Sequence, residues 1–192
     1  MLNSKENNEN ANIYKLIKAK ALFFLSKREY SERELFNKLQ SYTQDCSLIS
    51  LLIAELIKSN YLSNERYIKA YIRSKSCKVS LNKIRRDLLL QQLDSDLINT
   101  LINEFINNNN YDTNNNVIIN LKQQDHELAY NLLIKKFKIH GQEIKSEYNK
   151  NSTMLQQQDF YKLRNKQIRY LQYKGFSMDT IQSVLKSLLN NL

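Results

Sequence analysis

Residues 48–57 read LISLLIAELI, and residues 97–106, which lie 49 positions later, read LINTLINEFI. In both segments apolar residues occupy positions i, i+1, i+4, i+5, i+8 and i+9. On a helix of 3.6 residues per turn, these positions form one broad apolar stripe. A third copy, TIQSVLKSLL at residues 180–189, follows after a further 83 positions, and only the first of its six stripe positions is polar. The three copies predict amphipathic helices at equivalent places of a repeating chain.

The offset of 49 residues extends beyond this stripe and needs no gap. We predict three helices in each repeat, with the apolar stripe on the third. In the first repeat, helix one covers about residues 14–27, and Ser31 with Glu34 forms a capping box that opens helix two. The matched positions are Ala21 and Ala70, Ser31 and Ser80, Leu35 and Ile84, Leu39 and Leu88, and Asp45 and Asp94.

Helix start signals recur in the later repeats. In the third repeat a helix starts at Asp125, and helix two does not begin until about residue 159, because a polar insertion intervenes. In the second repeat the predicted caps are Ser63 or Asn64 for helix one, Ser80 for helix two and Asp94 for helix three.

The composition favours an all-α fold. The 192 residues include no proline and only two glycines, Gly141 and Gly175, so the turn residues of sandwiches, barrels and phosphate loops are missing. A three-helix unit of about 45 residues has a small core, so stacking must supply part of the burial. We therefore predict three tandem three-helix modules stacked into an elongated, curved array of either hand. The predicted ranges are 1–12 for a disordered N-terminal tail, 13–62 for module 1, 63–106 for module 2, 107–124 for an Asn-rich linker, and 125–192 for module 3 with its polar insertion at about 139–158.

The chain shows no signal for export or membrane insertion. Its longest apolar runs are far below the ~20 residues that cross a bilayer, and its start, MLNSKENNEN, lacks a signal-peptide core. Cys46 and Cys77 stand outside any CxxC or His-rich context, which indicates reduced helix residues. We predict a cytoplasmic protein that is a monomer and does not contact a membrane.

Catalytic signals are also missing. The two histidines, His126 and His140, stand fourteen residues apart near opposite ends of a predicted helix, so they cannot form a two-histidine metal site and are expected on the surface. The sequence holds no hydrolase, zinc-protease, phosphate-loop or dinucleotide motif. The sequence therefore predicts a protein that is not an enzyme and that has no catalytic residue, metal or cofactor.

Basic residues are concentrated in two places, within a net charge of +10. Residues 65–88 contain eight basic side chains against two acidic ones, and the third module carries a second cluster. A solvated helix surface would explain both clusters, but their segregation favours a face that binds a polyanion. The predicted partner-binding residues are Arg66, Lys69, Arg73, Lys75, Lys78, Arg85, Arg86, Lys135, Lys136, Arg164 and Arg169. Lys83, Lys138, Lys162, Lys166 and Lys174 complete the clusters.

The three-helix repeat does not predict a helix-turn-helix DNA reader. Such a reader presents polar and basic side chains on its recognition helix in the major groove. The third helices here carry apolar stripes and at most one basic residue each, Lys58 in the first and Lys186 in the last. Helices one and two carry the charge, which suits sequence-independent contact with phosphates or with an acidic protein groove.

Several separate segments resemble the RecX family, which regulates the RecA recombinase. They are AKALFFLSKREYSERELFNKL (residues 19–39), NYLSNERYIKAYIRSK (60–75), NKIRRDLLLQQLD (82–94), LAYNLLIKKFK (128–138) and IRYLQYKGFSMDTIQSVL (168–185). The resemblance covers nearly the whole chain apart from the tail, the linker and the insertion. It implies three helical modules that bind the RecA filament on single-stranded DNA and inhibit its ATPase, strand-exchange and co-protease activities.

The resemblance also assigns residues. The family's basic positions correspond to Arg73, Lys75, Arg85 and Arg86, and its structural Arg–aromatic pair corresponds to Arg66 and Tyr67. The chain departs from the family at Asn60, where a glycine is usual, at Ser63 and Asn64, where an acidic pair is usual, and at residues 77–80, where glycines are usual. Asn and Ser tolerate these helix ends, so the departures affect turn shape more than fold.

Two alternatives to the recombinase regulator stay open from the sequence. One is a stand-alone nucleic-acid-binding protein, which needs only the positive face and predicts salt-sensitive binding to free DNA. The other is an enzyme with an unrecognised site. The sequence also leaves open whether the chain inhibits or stimulates RecA and whether it contacts single-stranded DNA directly.

Overall fold

The computed structural model describes residues 2–109, 121–138 and 154–190, and every regular element in these ranges is an α-helix. The all-α prediction is therefore confirmed. The helices are α1 (Leu2–Leu25), α2 (Glu32–Leu39), α3 (Cys46–Lys58), α4 (Asn64–Lys75), α5 (Leu81–Leu90), α6 (Ser95–Asn109), α7 (Leu121–Phe137), α8 (Met154–Tyr173) and α9 (Met178–Asn190).

Three helices begin earlier than predicted. α1 starts at Leu2, so the prediction of a disordered tail over residues 1–12 is wrong from Leu2 onward. α7 starts at Leu121 and not at Asp125, and α8 starts at Met154 and not at about residue 159. No proline or glycine interrupts these additional residues, so nothing stops the helices from extending.

The predicted linker and insertion are both narrower in the structure. α6 continues to Asn109 and α7 begins at Leu121, so helix takes up both ends of the predicted linker. Residues 110–120 of the linker and 139–153 of the insertion, with His140 and Gly141, lie outside the described residues.

Two compact units divide the chain, and the first comprises Met1–Tyr71 and Asp87–Leu101. In this unit α1, α2 and α3 pack on one another. Their common core consists of side chains at most 8% exposed. Full burial of each Leu or Ile side chain contributes about 1.5–3 kcal/mol. The core side chains are Ile17 and Ala21 from α1, Leu35 and Leu39 from α2, Ile49, Leu52, Ile53 and Leu56 from α3, and Tyr30 and Leu62 from the turns.

The second unit comprises Ile72–Arg86 and Ile102–Leu192. Here α7, α8 and α9 pack on one another. Ala129 and Leu133 of α7 are fully buried, as are Leu171 of α8 and Ile181 and Val184 of α9. The phenyl ring of Phe176 closes this core at the turn between α8 and α9. The division between units runs through α4, α5 and α6, so the module boundaries after residues 62 and 106 stay a prediction.

All three copies of the apolar stripe are buried at their central positions, as predicted. In the first copy the margins are more exposed: Leu48 is half-buried and Ile57 is 42% exposed. In the second copy the last position, Ile106, is buried and Phe105 is half-buried. The buried members are Ile49, Leu52, Ile53 and Leu56 in the first copy, Ile98, Leu101, Ile102 and Ile106 in the second, and Ile181, Val184, Leu185 and Leu188 in the third, where the side chain of Leu189 lies outside the described part.

The predicted capping box at α2 forms only in part. The Glu34 amide donates to Ser31 Oγ at 3.0 Å, as expected. The Glu34 carboxylate does not return to Ser31, however. It accepts from Arg28 Nη1 at 2.9 Å and from the Tyr67 hydroxyl at 3.2 Å. Burial of the Tyr67 ring, reinforced by the Glu34 charge, raises the pKa of that hydroxyl, so it remains a donor to the carboxylate.

The other predicted caps are confirmed. Ser63 Oγ accepts from the Arg66 amide at 3.3 Å, so Ser63 and not Asn64 caps α4. Ser80 Oγ accepts from the Lys83 amide at 3.2 Å, and Asp94 Oδ1 accepts from the Leu97 amide at 2.7 Å.

None of the helices in the described ranges has the length and apolarity to cross a membrane.

The first core generates a matched test. Leu52 is fully buried, whereas Leu51, its neighbour on α3, is 62% exposed. We expect Leu52→Ala to lower the free energy of unfolding by roughly 2–5 kcal/mol through lost contacts and a cavity. Leu51→Ala removes the same atoms from a solvated site and should change it by less than about 0.5 kcal/mol. Urea unfolding followed by circular dichroism measures both, and equal effects would contradict the assigned core.

Candidate functional site

The turn between α4 and α5 lies within the most basic part of the chain. Residues 72–86 contain no acidic side chain. The apolar side chains of Ile72, Val79 and Ile84 are buried and fix the backbone of this segment. The side chains of Arg73, Lys78 and Arg86 are exposed. The basic residues of the segment are Arg73, Lys75, Lys78, Lys83, Arg85 and Arg86, all in the second unit.

Ser80 attaches this segment to the end of α8. Its residue is fully buried, and its hydroxyl donates to the carbonyl oxygen of Gly175 at 2.6 Å. Its backbone amide donates to the carbonyl oxygen of Lys174 at 3.0 Å. The serine that caps α5 therefore also donates hydrogen bonds to two carbonyl oxygens at the C-terminal end of α8, which would otherwise lack partners.

Only glycine fits at position 175. Its φ of +88° lies in the left-handed region, which L side chains rarely adopt. An added Cβ would approach Lys83 Cβ to 2.5 Å and Ser80 Oγ to 2.8 Å, both closer than real Cβ contacts. The missing side chain therefore allows α5 to lie directly against the turn that follows α8.

This contact joins two acid-free segments. Residues 160–175, which end α8, also contain no acidic side chain, while their basic residues are Lys162, Arg164, Lys166, Arg169 and Lys174. We name residues 72–86 and 160–175 together the basic junction. Because the Ser80–Gly175 contact joins two segments whose charged side chains are all basic, the junction has the electrostatics of a site for a polyanion.

The basic side chains of the junction differ in how they are held. Lys83 Nζ lies 5.0 Å from the ring centroid of Tyr173, and Lys174 Nζ lies 5.5 Å from that of Tyr170. Lys162 pairs with Asp159 at 3.1 Å, outside the junction. The exposed members are Arg73, Lys78, Arg86, Lys162, Lys166 and Arg169, and the half-buried ones are Lys75, Lys83, Arg85, Arg164 and Lys174.

Arg85 has a distinct environment at the edge of the junction. It lines a cavity of about 200 Å³ together with Asp125, and its buried Nε has no hydrogen-bond partner. Burial raises the pKa of the Asp125 carboxyl, although a hydrogen bond from the Leu81 backbone opposes the shift. Arg85 is therefore partly a structural residue, and its guanidinium is less accessible than those of Arg73 and Arg86.

Two of the predicted site residues, Arg66 and Lys69, belong to the first unit and are not part of the two junction segments. The Arg66 guanidinium donates to Glu29 Oε1 at 3.0 Å, to Asn60 Oδ1 at 2.8 Å, and to the carbonyls of Asn60 and Tyr61, each at 3.0 Å. Asn60 has a φ of 57°, so Arg66 stabilises the left-handed turn that ends α3. Lys69 pairs with Glu65 at 2.8 Å along α4. Arg66 therefore has the structural role that the family resemblance implied.

Lys135 and Lys136 complete the predicted set. Both are exposed in the last turn of α7, where positive charge favours the C-terminal end of the helix dipole. They belong to the second unit, but they lie outside the two segments of the junction. Their role in binding stays a prediction.

The joint at Ser80 has a counterpart at the matched serine of the first repeat. Ser31 is also fully buried and caps α2, and its hydroxyl lies 3.4 Å from Gln91 Oε1 at the end of α5. The next residue, Gln92, has a φ of 60°, which corresponds to the left-handed turn at Gly175. The cap of α2 therefore contacts the turn after α5, and the cap of α5 contacts the turn after α8. In each case the second helix of one repeat meets the second helix of the next repeat. The sequence matched the serines but carried no signal for their partners.

Among the described residues, no group of three His, Cys, Asp or Glu side chains could hold a metal. His126, predicted on the surface, is half-buried, and its Nε2 lies 3.2 Å from Ser187 Oγ. The Ser187 hydroxyl donates to the Ser183 carbonyl at 3.0 Å, so it has no proton to give to the histidine. This pair does not have the arrangement of an activated nucleophile.

This chain is similar in sequence to known regulatory proteins. The family model "RecX, third three-helix domain" matches residues 150–185. The regulatory protein RecX of Acinetobacter baylyi is 30% identical over 170 residues, covering 88% of this chain and 86% of that protein. The regulatory protein RecX of Neisseria meningitidis is 27% identical over 172 residues, covering 90% of each chain. These relatives carry the name of a regulatory protein and not of an enzyme.

Two crystal structures share the fold. One, of a regulatory protein RecX, has a TM-score of 0.60 at 16% identity, and the match covers 97% of this chain and 78% of that one. The other, of RecX from Lactobacillus salivarius, has a TM-score of 0.54 at 20% identity, with 93% and 97% covered. At these identities the likeness concerns the fold alone.

The joint between α5 and α8 generates a second test. Gly175→Ala places a Cβ against Lys83 and Ser80 in a left-handed backbone, so we expect it to lower the free energy of unfolding by at least about 1 kcal/mol. The control is Gln172→Ala, because that side chain is exposed one turn earlier on α8. Thermal unfolding followed by circular dichroism compares the two variants. A Gly175→Ala protein as stable as the control would contradict the close approach.

Proposed function

Because this chain belongs to the RecX family of regulatory proteins, we propose that it regulates the RecA recombinase by binding along the RecA filament on single-stranded DNA. In this proposal it restrains ATP hydrolysis, strand exchange and co-protease activity without performing chemistry of its own. It does so by occupying a surface of the filament.

The observation that carries this proposal is the basic junction. A filament on single-stranded DNA presents phosphates and protein carboxylates in a regular array, and such an array attracts a positive surface at long range. The Ser80–Gly175 contact holds two acid-free segments together. Basic side chains that are some ninety residues apart in the sequence therefore lie in one part of the second unit.

The family's basic positions support the same surface. The positions that match them are Arg73, Lys75, Arg85 and Arg86, and all four lie in residues 72–86. The exposed guanidinium groups of Arg73 and Arg86 are the members best placed to contact a partner. Arg85 supports that contact from the cavity edge, where its Nε lacks an acceptor.

The third test reverses charge at the exposed arginines. We expect Arg73→Glu with Arg86→Glu to raise by about tenfold or more the protein concentration that half-inhibits the single-stranded-DNA-dependent ATPase of RecA, because two attractive charges become repulsive. The matched control reverses Lys58 and Lys186, which are exposed on α3 and α9 outside the junction. Circular dichroism checks that both double variants keep their helicity.

The outcomes of this ATPase assay distinguish a binding surface at the junction from an effect of net charge. A loss confined to the arginine variant supports the junction as the binding surface. Equal losses of inhibition in both double variants would mean that the net charge of the chain, and not the junction, determines the inhibition. If the unaltered chain neither changes the ATPase nor binds the filament at saturating concentration, the proposal is wrong.

A second candidate is a stand-alone nucleic-acid-binding protein, which the acid-free character of the junction also suits. This function predicts binding to free single-stranded DNA that weakens steeply with salt when no recombinase is present. Fluorescence anisotropy of a labelled oligonucleotide at two salt concentrations tests it. Strong filament binding with negligible binding to free DNA would exclude it.

A further inference from the structure

Tyr173 presents an aromatic ring at the centre of the basic junction. It is the last residue of α8 and is 72% exposed, the most exposed large hydrophobic side chain in the described residues. Lys83 Nζ lies 5.0 Å from its ring centroid, across the joint that Ser80 forms. The exposed ring and the cation come from different acid-free segments, and the fold brings them together.

The backbone on both sides of Tyr173 is fixed. The Lys174 amide donates to the Tyr170 carbonyl at 3.0 Å, and the Gly175 amide donates to the Gln172 carbonyl at 2.9 Å. On the following side, the buried ring of Phe176 anchors the turn in the core. A ring on so constrained a backbone loses little conformational entropy when a ligand packs against it.

This combination selects one class of ligand. An acidic peptide would satisfy the lysines but would leave the ring face without a matching surface. An unpaired nucleotide supplies a planar base for the ring and a phosphate for each neighbouring cation, and aromatic rings in positive grooves bind single strands in this manner. A duplex hides its base faces, so it does not fit the ring.

We infer that Tyr173 stacks on an unpaired base of a single-stranded nucleic acid while Lys83 and Lys174 bind the adjacent phosphates. This inference deepens the proposed function, on which it rests for the source of the strand. The contact itself needs no recombinase, so free oligonucleotides can test it separately.

Photocross-linking gives the most direct test. A single-stranded oligothymidylate carrying one 5-iodouracil couples on irradiation to an aromatic side chain that stacks on it, and peptide mass spectrometry then locates the residue. We expect the full-length chain to cross-link at Tyr173. The matched control is Tyr61, which is 58% exposed and lies outside the basic junction. A cross-link at Tyr61 or elsewhere, without one at Tyr173, would overturn the inference.

Affinity measurements on the same oligonucleotide complete the design. Tyr173→Leu should weaken binding by roughly tenfold, Tyr173→Phe should retain it because the ring remains, and Tyr61→Leu should have no effect. Lys83→Ala should lower the slope of log affinity against log salt by about one. If Tyr173→Leu binds like the unaltered chain, or if Tyr61→Leu weakens binding equally, the stacking contact is wrong.

Failure here is distinct from failure of the proposed function. A chain that does not bind free single strands but still inhibits the RecA ATPase would overturn the stacking contact and leave the regulator intact. A chain that binds through Tyr173 but leaves RecA unaffected would support the contact and overturn the regulator.

Discussion

The Ser80 hydroxyl, buried at the start of α5, donates to the Gly175 carbonyl at 2.6 Å while its oxygen accepts from the Lys83 amide. This one side chain both starts a helix and attaches it to the end of α8. The attachment holds two basic segments at one place despite the repulsion between their charges. Hydrogen bonds and the buried core around Phe176 offset that repulsion. The joining of these two basic segments therefore depends on a polar contact that itself contains no charged group.

A related contact occurs at the two serines matched by the 49-residue offset, Ser31 and Ser80, both of which are fully buried. Ser80 donates to the carbonyl of Gly175, which has a positive φ. The Ser31 hydroxyl contacts the side chain of Gln91, next to Gln92, which also has a positive φ. At Gln92 this turn carries a side chain, whereas at Gly175 the approach is too close for one. The repeat thus provides a general joint, and the second copy has a tighter version that brings basic segments together.

The sequence predicted those features that depend on local pattern. The apolar stripes gave the cores of α3, α6 and α9, and the caps Ser31, Ser80 and Asp94 were correct, because helix signals act over a few residues. The partners of Ser80 could not be predicted, because no local rule relates residue 80 to residue 175. The extra turns of α1, α7 and α8 were missed because polar Asn- and Gln-containing segments give no clear boundary. The distinction between exposed Arg73 and structural Arg66 likewise required coordinates, although the family resemblance pointed to the latter.

Membership of the RecX family establishes a regulatory protein, and the Ser80–Gly175 contact brings two basic segments together in its second unit. Hydrogen–deuterium exchange of the full-length chain, alone and with RecA filaments on single-stranded DNA, tests this account most directly. It predicts that residues 72–86 and 160–175 become protected together when the filament is present, while α3 changes little. Protection confined to other helices, or protection of one segment without the other, would contradict the claim that the joint forms the binding surface.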